Sequence, residues 1–178
     1  MKQRLKIGIL IDQLIPGGVQ KAAIFEVKYL RKFGHDVKLL VLMRSGYKME
    51  FASLAKDIPL EFLSDRLPQF LRINLKFPFF TFLSSQYFTS ALMAPKIINR
   101  QEFDLIISHG TTTALTSFSV KKFAKIPYFA VIHDPISYAF DKIYSKTNLK
   151  YISKILKTAA DFFRIGNYSF CNKMYRRF

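Results

Sequence analysis

LKIGILIDQLIPGGVQK, residues 5–21, divides into a nearly continuous apolar run and a glycine turn. Residues 5–11, rich in isoleucine, read as a short strand buried on both faces, because neither face carries the regular polar positions of a half-solvated strand. Pro16-Gly17-Gly18 breaks that run, and from Val19 to Phe33 the apolar residues Ala23, Val27 and Leu30 recur at spacings of four and three, as on one face of a helix. Gly34 follows as a C-terminal cap. A second apolar run, DVKLLVL at 36–42, ends at Arg44-Ser45-Gly46. A helix between two fully buried strands is the crossover of a parallel sheet, with a right-handed connection expected.

Further along the chain, residues 58–63 (IPLEFL) predict a third strand and 66–100 a long basic and aromatic segment that reads as mostly helical. Residues 103–108 (FDLIIS) predict another buried strand, 111–124 a helix, and 126–132 (IPYFAVI) a last strand ending in His133-Asp134-Pro135. Residues 148–163 place Ile152, Ile155, Leu156, Ala159 and Phe163 on one face and most of their lysines elsewhere, an amphipathic basic helix. Strands alternating with helices, without internal repeat or linker, predict an α/β fold: an open, Rossmann-like, mostly parallel sheet with helices on both faces, in one domain over residues 1–178.

Composition agrees with a packed domain and excludes several alternatives. Half of the 178 residues are hydrophobic and 16% aromatic, so the chain can bury a core. Its one cysteine, Cys171, excludes an internal disulfide framework and a multi-thiolate zinc site, leaving His35, His109, His133 and carboxylates as conceivable metal ligands. His35, after the helix-ending Gly34, reads as surface structure. The net charge of +16 is uneven, since residues 142–178 hold nine basic residues and one acidic, which is half of the surplus. That field favours anionic partners: nucleic acid, phosphorylated substrates or an anionic membrane surface. Lys2, Arg4 and Lys6 precede an apolar run, but Asp12 and the Pro-Gly-Gly turn interrupt it, unlike a secretory signal. Residues 77–95 are nineteen consecutive uncharged positions bounded by prolines at 78 and 95, yet six of them are Ser, Thr or Gln. They read as an interfacial or core-packed segment rather than a membrane span.

In open α/β sheets ligands bind at the carboxyl ends of the strands. Three loops fall there: Asp12 to Gly18, His109-Gly110-Thr111 and His133-Asp134-Pro135. Glycines feeding a helix N-terminus leave backbone N–H groups open to a phosphate; the plainer reading is a tight turn that uses glycine for its dihedral freedom. Asp134 reads as a cap of the next turn or as an orienter of His133. No G-x-G-x-x-G and no P-loop Lys-Ser/Thr is present, which argues against dinucleotide binding of the dehydrogenase type and against ATP hydrolysis.

The strand KIGILIDQL with Pro16-Gly17-Gly18-Val19-Gln20-Lys21, then FDLIISHG at 103–110 and IPYFAVIHDP at 126–135, in that order, resembles the N-terminal domain of family 4 glycosyltransferases of GT-B architecture. The resemblance implies transfer of a sugar from a nucleotide sugar to a hydroxyl with retention of configuration, without a required metal or other cofactor. It implies Gly17 and Gly18 as the loop against the donor diphosphate, His133 as the catalytic-cleft residue near the transferred sugar, and His109 beside the acceptor or the cleft wall. By their place at the strand ends Gly110, Asp12 and Asp134 are further candidates for the acceptor side or cleft. With the resemblance go an expected glycan or lipid-linked acceptor of the cell envelope and a cytoplasmic setting; the aromatic and basic stretch 70–88, the basic helix at 148–163 and the +16 charge favour a peripheral place on the inner face of the membrane. The family's donor-binding domain carries two glutamates eight positions apart. Here only Glu26, Glu50, Glu61 and Glu102 occur, none so spaced, so the chain reads as an acceptor-side half that needs a donor-binding domain, in the same or a separate chain, for activity. A second reading is a non-catalytic basic α/β module binding nucleic acid or anionic membrane through its C-terminal helix.

Overall fold

Strand β1 (Lys6–Gln13) and strand β2 (Asp36–Met43) pair in parallel from Lys6↔Asp36 to Gln13↔Met43, and helix α1 (Gly18–Lys32) connects them. A computed structural model of the chain describes residues 4–44, 53–72, 76–77 and 80–133. They fall in one compact unit, Met1–His133; the second unit, Asp134–Phe178, lies outside the described residues, and with it the expected basic helix at 148–163 and Asp134. The remaining elements are β3 (Leu60–Phe62), β4 (Lys76–Phe77), β5 (Phe80–Ser84), α2 (Ser85–Ile97), β6 (Leu105–His109), α3 (Thr111–Ala124) and β7 (Tyr128–Val131). The main sheet runs β3-β2-β1-β6-β7 with every neighbouring pair parallel. This is the open α/β sheet expected from the apolar runs.

Alternation along the strands feeds two cores. Ile7, Ile9 and Ile11 pack with Val37, Leu39, Val41 and Ile107 beneath Ala23, Ile24 and Val27 of α1. Leu10, Leu40, Leu42 and Ile106 pack on the opposite face against Ala94 of α2 and Val120 of α3. Burial of Ile9, Leu10 and Ile11 to zero exposure explains why the run shows no polar alternation: both of its faces are covered. Each such side chain contributes about 1.5–3 kcal/mol of burial. Gly8 sits where a methyl group would come within 2.8 Å of Ile106 and 2.9 Å of Leu40, so glycine here serves close packing.

Helix α1 ends as the sequence predicts. Gly34 has φ +90°, its N–H bonds the Arg31 carbonyl at 3.0 Å, and the His35 N–H reaches back to Leu30 at 3.2 Å, the paired closure of a Schellman motif. His35, expected to be merely surface structure, is half-buried and its Nδ1 accepts from the Leu5 N–H at 3.3 Å, tying the helix end to the start of β1.

The segment 66–100 differs most from expectation. It is not mostly helical: a 3-10 turn spans Leu63–Arg66 and another Gln69–Leu71, β4 and β5 form an antiparallel pair, and α2 begins only at Ser85. Aromatic and β-branched residues at Phe80, Thr81 and Phe82 favour strand over helix, and tertiary pairing decides between the two for so short a run. Pro95, expected to bound the helix, lies inside its last turn. Among the described residues no helix is long and apolar enough to cross a membrane.

Candidate active site at the strand ends

Every candidate residue within the described chain sits at the carboxyl edge of β1, β6 or β7, or in the turn leaving it. Asp12 is the penultimate residue of β1, Gly17 is the N-cap of α1, and Gly18 is its first residue. His109 ends β6, Gly110 caps α3, and His133 lies two residues beyond β7.

The glycine pair is not there for dihedral freedom. Gly17 has φ −172° and ψ 159°, extended backbone open to any residue, and Gly18 is not among the positive-φ glycines. The two differ in the space around them. A Cβ on Gly17 would run into the Oε1 of Gln20, a buried side chain folded back over the loop, whereas a Cβ on Gly18 would meet nothing within 4 Å. No side chain caps α1 and no acidic residue occupies its first turn, so its leading N–H groups and the positive end of its dipole are left for an anion. Asp12 stands beside this loop. Burial pushes its carboxyl up from the ordinary value, against the opposing hydrogen bonds from the Gln13 N–H, at 2.7 Å, and from the Gln20 side chain.

The second group forms around β6. Gly110 has φ +101° and ψ 159°, a region that side chains avoid, and its N–H continues the ladder to the Val131 carbonyl at 2.9 Å. The buried Thr113 hydroxyl lies 2.7 Å from the His109 carbonyl and 3.0 Å from that of Gly110, clamping the turn. His109 is thereby fixed on a rigid strand end with only 4% exposure. Its Nδ1 is 3.0 Å from Nε2 of His133, and its Nε2 is 2.6 Å from Oε2 of Glu26 on α1. The imidazole centroids are 5.3 Å apart with planes 20° from parallel, so a short N···N contact joins the rings edge to edge. Glu26, His109 and His133 thus form a line, each bonded to the next. Among the described residues no group of three His, Cys, Asp or Glu side chains is arranged to hold a metal ion.

Strand parity explains the line. Ile107 points to the α1 face, so His109 does too, and Val131 across the register packs on that same core, which carries His133 two residues further on. Sequence reasoning found both histidines but missed Glu26, Gln20 and Thr113. Glu26 carried a signal: it is the sole acidic residue in GVQKAAIFEVKYLRK, and it adjoins the buried Val27.

The model of Glycosyltransferase Family 4 matches residues 16–165, most of the chain. The chain belongs to Glycosyltransferase Family 4. A similar solved structure is that of a glycosyltransferase from Rickettsia africae ESF-5, 19% identical, with a TM-score of 0.45. The match covers 84% of this family 4 chain but only 35% of that structure, so the chain spans about a third of that glycosyltransferase's length. No curated protein matches the chain. The family's match begins at Pro16, so it takes in the glycine pair, both strand-end histidines and Glu26.

Proposed function

We propose that this family 4 chain is the acceptor-side domain of a retaining, hexosyl-type glycosyltransferase, and that the carboxyl edge of β1, β6 and β7 is its half of the active cleft. The observation that carries the reading is the pairing, at one sheet edge, of an uncapped helix start behind Gly17-Gly18 with a buried histidine bonded to an exposed one. The donor's diphosphate would lie against the first-turn N–H groups of α1, where departing negative charge is stabilised by donors already in place. Gly18 leaves that approach open. His133 would contact the transferred sugar, with His109 behind it, and Asp12 and Gly110 would line the acceptor side. Breaking the anomeric C–O bond leaves charge on the diphosphate oxygen, and the acceptor hydroxyl, attacking from the same face, passes its proton to that leaving oxygen. The chain's own contribution is positioning and charge stabilisation. The reading needs no cofactor, and it needs a donor-binding domain to supply the nucleotide-sugar contacts, so this half alone should turn over no donor. The test is transfer by the complete natural reading frame, with and without His133→Ala. Transfer abolished by the variant supports the reading; no nucleotide sugar bound or turned over would sink it.

The acceptor class proposed is a glycan or lipid-linked glycan of the cell envelope, met at the cytoplasmic face of the membrane. One surface favours that setting. The outer side of α1 exposes Phe25, Tyr29 and Phe33 in a row, with Lys21 and Lys32 among them and Lys32 Nζ 5.5 Å from the Tyr29 ring centre. Aromatics that enter an interface beside cations that meet anionic headgroups suit peripheral binding, as does the +16 charge. Co-sedimentation with phosphatidylglycerol vesicles, lost in a Phe25→Ser, Tyr29→Ser, Phe33→Ser triple variant, is the expected outcome; binding unchanged in that variant would remove this face from the account. Nucleic-acid binding by the same charge is the competing reading, and retention of polynucleotide at moderate salt without vesicle binding would favour it.

A further inference from the structure

Glu26 has no part in the functional reading above, yet it ends the line of side chains that leads to His133. Its carboxylate, 31% exposed, approaches a histidine whose side chain is 3% exposed, at 2.6 Å. An ionised carboxylate only accepts hydrogen bonds, so the His109 nitrogen facing it, Nε2, carries the proton. With His109 neutral, its Nδ1 is then a lone pair, and the 3.0 Å contact requires His133 to donate from Nε2. One proton position therefore dictates the next. His133, an exposed residue, is left with Nδ1 unprotonated and not engaged by His109.

We infer that Glu26 is a positioning residue that sets the tautomer of His133 through His109, so that His133 presents a hydrogen-bond acceptor at Nδ1 to a sugar or acceptor hydroxyl. The inference deepens the proposed function and, for its consequence on transfer, rests on it. Where the two rings hold one further proton, Nδ1 of His133 carries a hydrogen and donates, whichever ring bears the charge. The same three residues thus offer an acceptor at Nδ1 of His133 when both imidazoles are neutral and a donor when they hold one further proton.

Two variants separate tautomer selection from mere support of the ring. Glu26→Gln fills the same space and can hold Nε2 of His109 either by accepting through its carbonyl or by donating through its amide, so it orients the ring without choosing the tautomer. Glu26→Ala removes the partner altogether on a half-exposed helix flank, where alanine favours the helix. Nitrogen-15 imidazole spectra of the full chain, at about pH 8 where free imidazoles are neutral, should show Nε2–H at both histidines in the unmodified protein. Both variants should show mixed Nδ1–H and Nε2–H signals at His133. In the complete enzyme both should lower kcat at least about 10-fold, since the hydroxyl that Nδ1 of His133 orients for transfer loses its acceptor in part of the molecules. A Glu26→Gln protein with the unmodified tautomer at His133 and unmodified kcat overturns the inference, because it would mean that Glu26 only supports the ring. If the spectra respond as expected but the unmodified enzyme transfers no sugar, the proton arrangement stands and the proposed function is what fails.

Discussion

Asp12 illustrates how a single side chain can be held at a cost that folding alone does not explain. Burial raises its carboxyl above the value it has in the unfolded chain, so the folded state binds its proton more tightly. The sign follows from linkage: this group's contribution to stability is fully present below the unfolded value, near 3.8, and is lost as pH rises through the raised folded value. At neutral pH the ionised carboxylate therefore opposes folding. Asp12→Asn, which keeps the shape and the contact with Gln20, should raise stability at pH 7 by about 1 kcal/mol and flatten the pH dependence in the acid range. Urea denaturation of both proteins at pH 7 and pH 4 checks it, and an asparagine variant less stable at pH 7 would contradict the sign. A carboxylate retained against stability beside an open helix start is consistent with a role at the cleft.

Among the elements, the ones legible in the sequence were those whose local signals and tertiary fate agree. The run at 5–11 extends to β1, the Gly34 cap ends α1, and 111–124 is helix α3 at those bounds. Strands β4 and β5 were not legible, because short aromatic runs suit strand and helix equally until a neighbour selects one, whereas the helix expected in this segment is present from Ser85. Arg66 also escaped notice in a segment read only as basic. Its guanidinium bonds Glu61 on β3, grips both oxygens of Glu102 at 2.9 and 2.7 Å, and donates to the Ile97 carbonyl at the end of α2 at 2.7 Å. Hydrogen bonding from Arg66, assisted by Lys38, holds the Glu61 carboxyl below its usual value, so this pairing stabilises the fold above the unfolded value near 4.5 and is lost as pH falls through the lower folded one. Arg66→Met should cost about 2 kcal/mol at pH 7, because two partly buried carboxylates lose their shared cation, and the penalty should shrink on acidification. Thermal melts of the two proteins across pH 3 to 7 read this directly; a penalty that stays constant would show that packing, not charge, is what Arg66 provides.

Across the whole molecule, the parallel order β3-β2-β1-β6-β7 brings together turns that are far apart in sequence: Gly17 and His133 are separated by more than a hundred residues yet leave the same sheet edge. That convergence could be read from the sequence because each turn followed an apolar run. The link from Glu26 to His109 could not, since it needs strand parity and helix phase together, and their meeting is not visible until β6 is set in register against β1. Membership of Glycosyltransferase Family 4 makes the convergence a candidate half-cleft. The most direct measurement is sugar transfer by the complete natural protein carrying Gly18→Ala, beside its thermal melting. A methyl group at Gly18 meets no protein atom within 4 Å, so stability should stay within about 1 kcal/mol of the unmodified protein, with any change toward greater stability. Transfer should nevertheless fall at least about 100-fold, with weakened donor binding, because the methyl group occupies the approach to the first-turn N–H groups of α1. A stable Gly18→Ala protein that transfers sugar at the unmodified rate would contradict the placement of the donor diphosphate at this helix start.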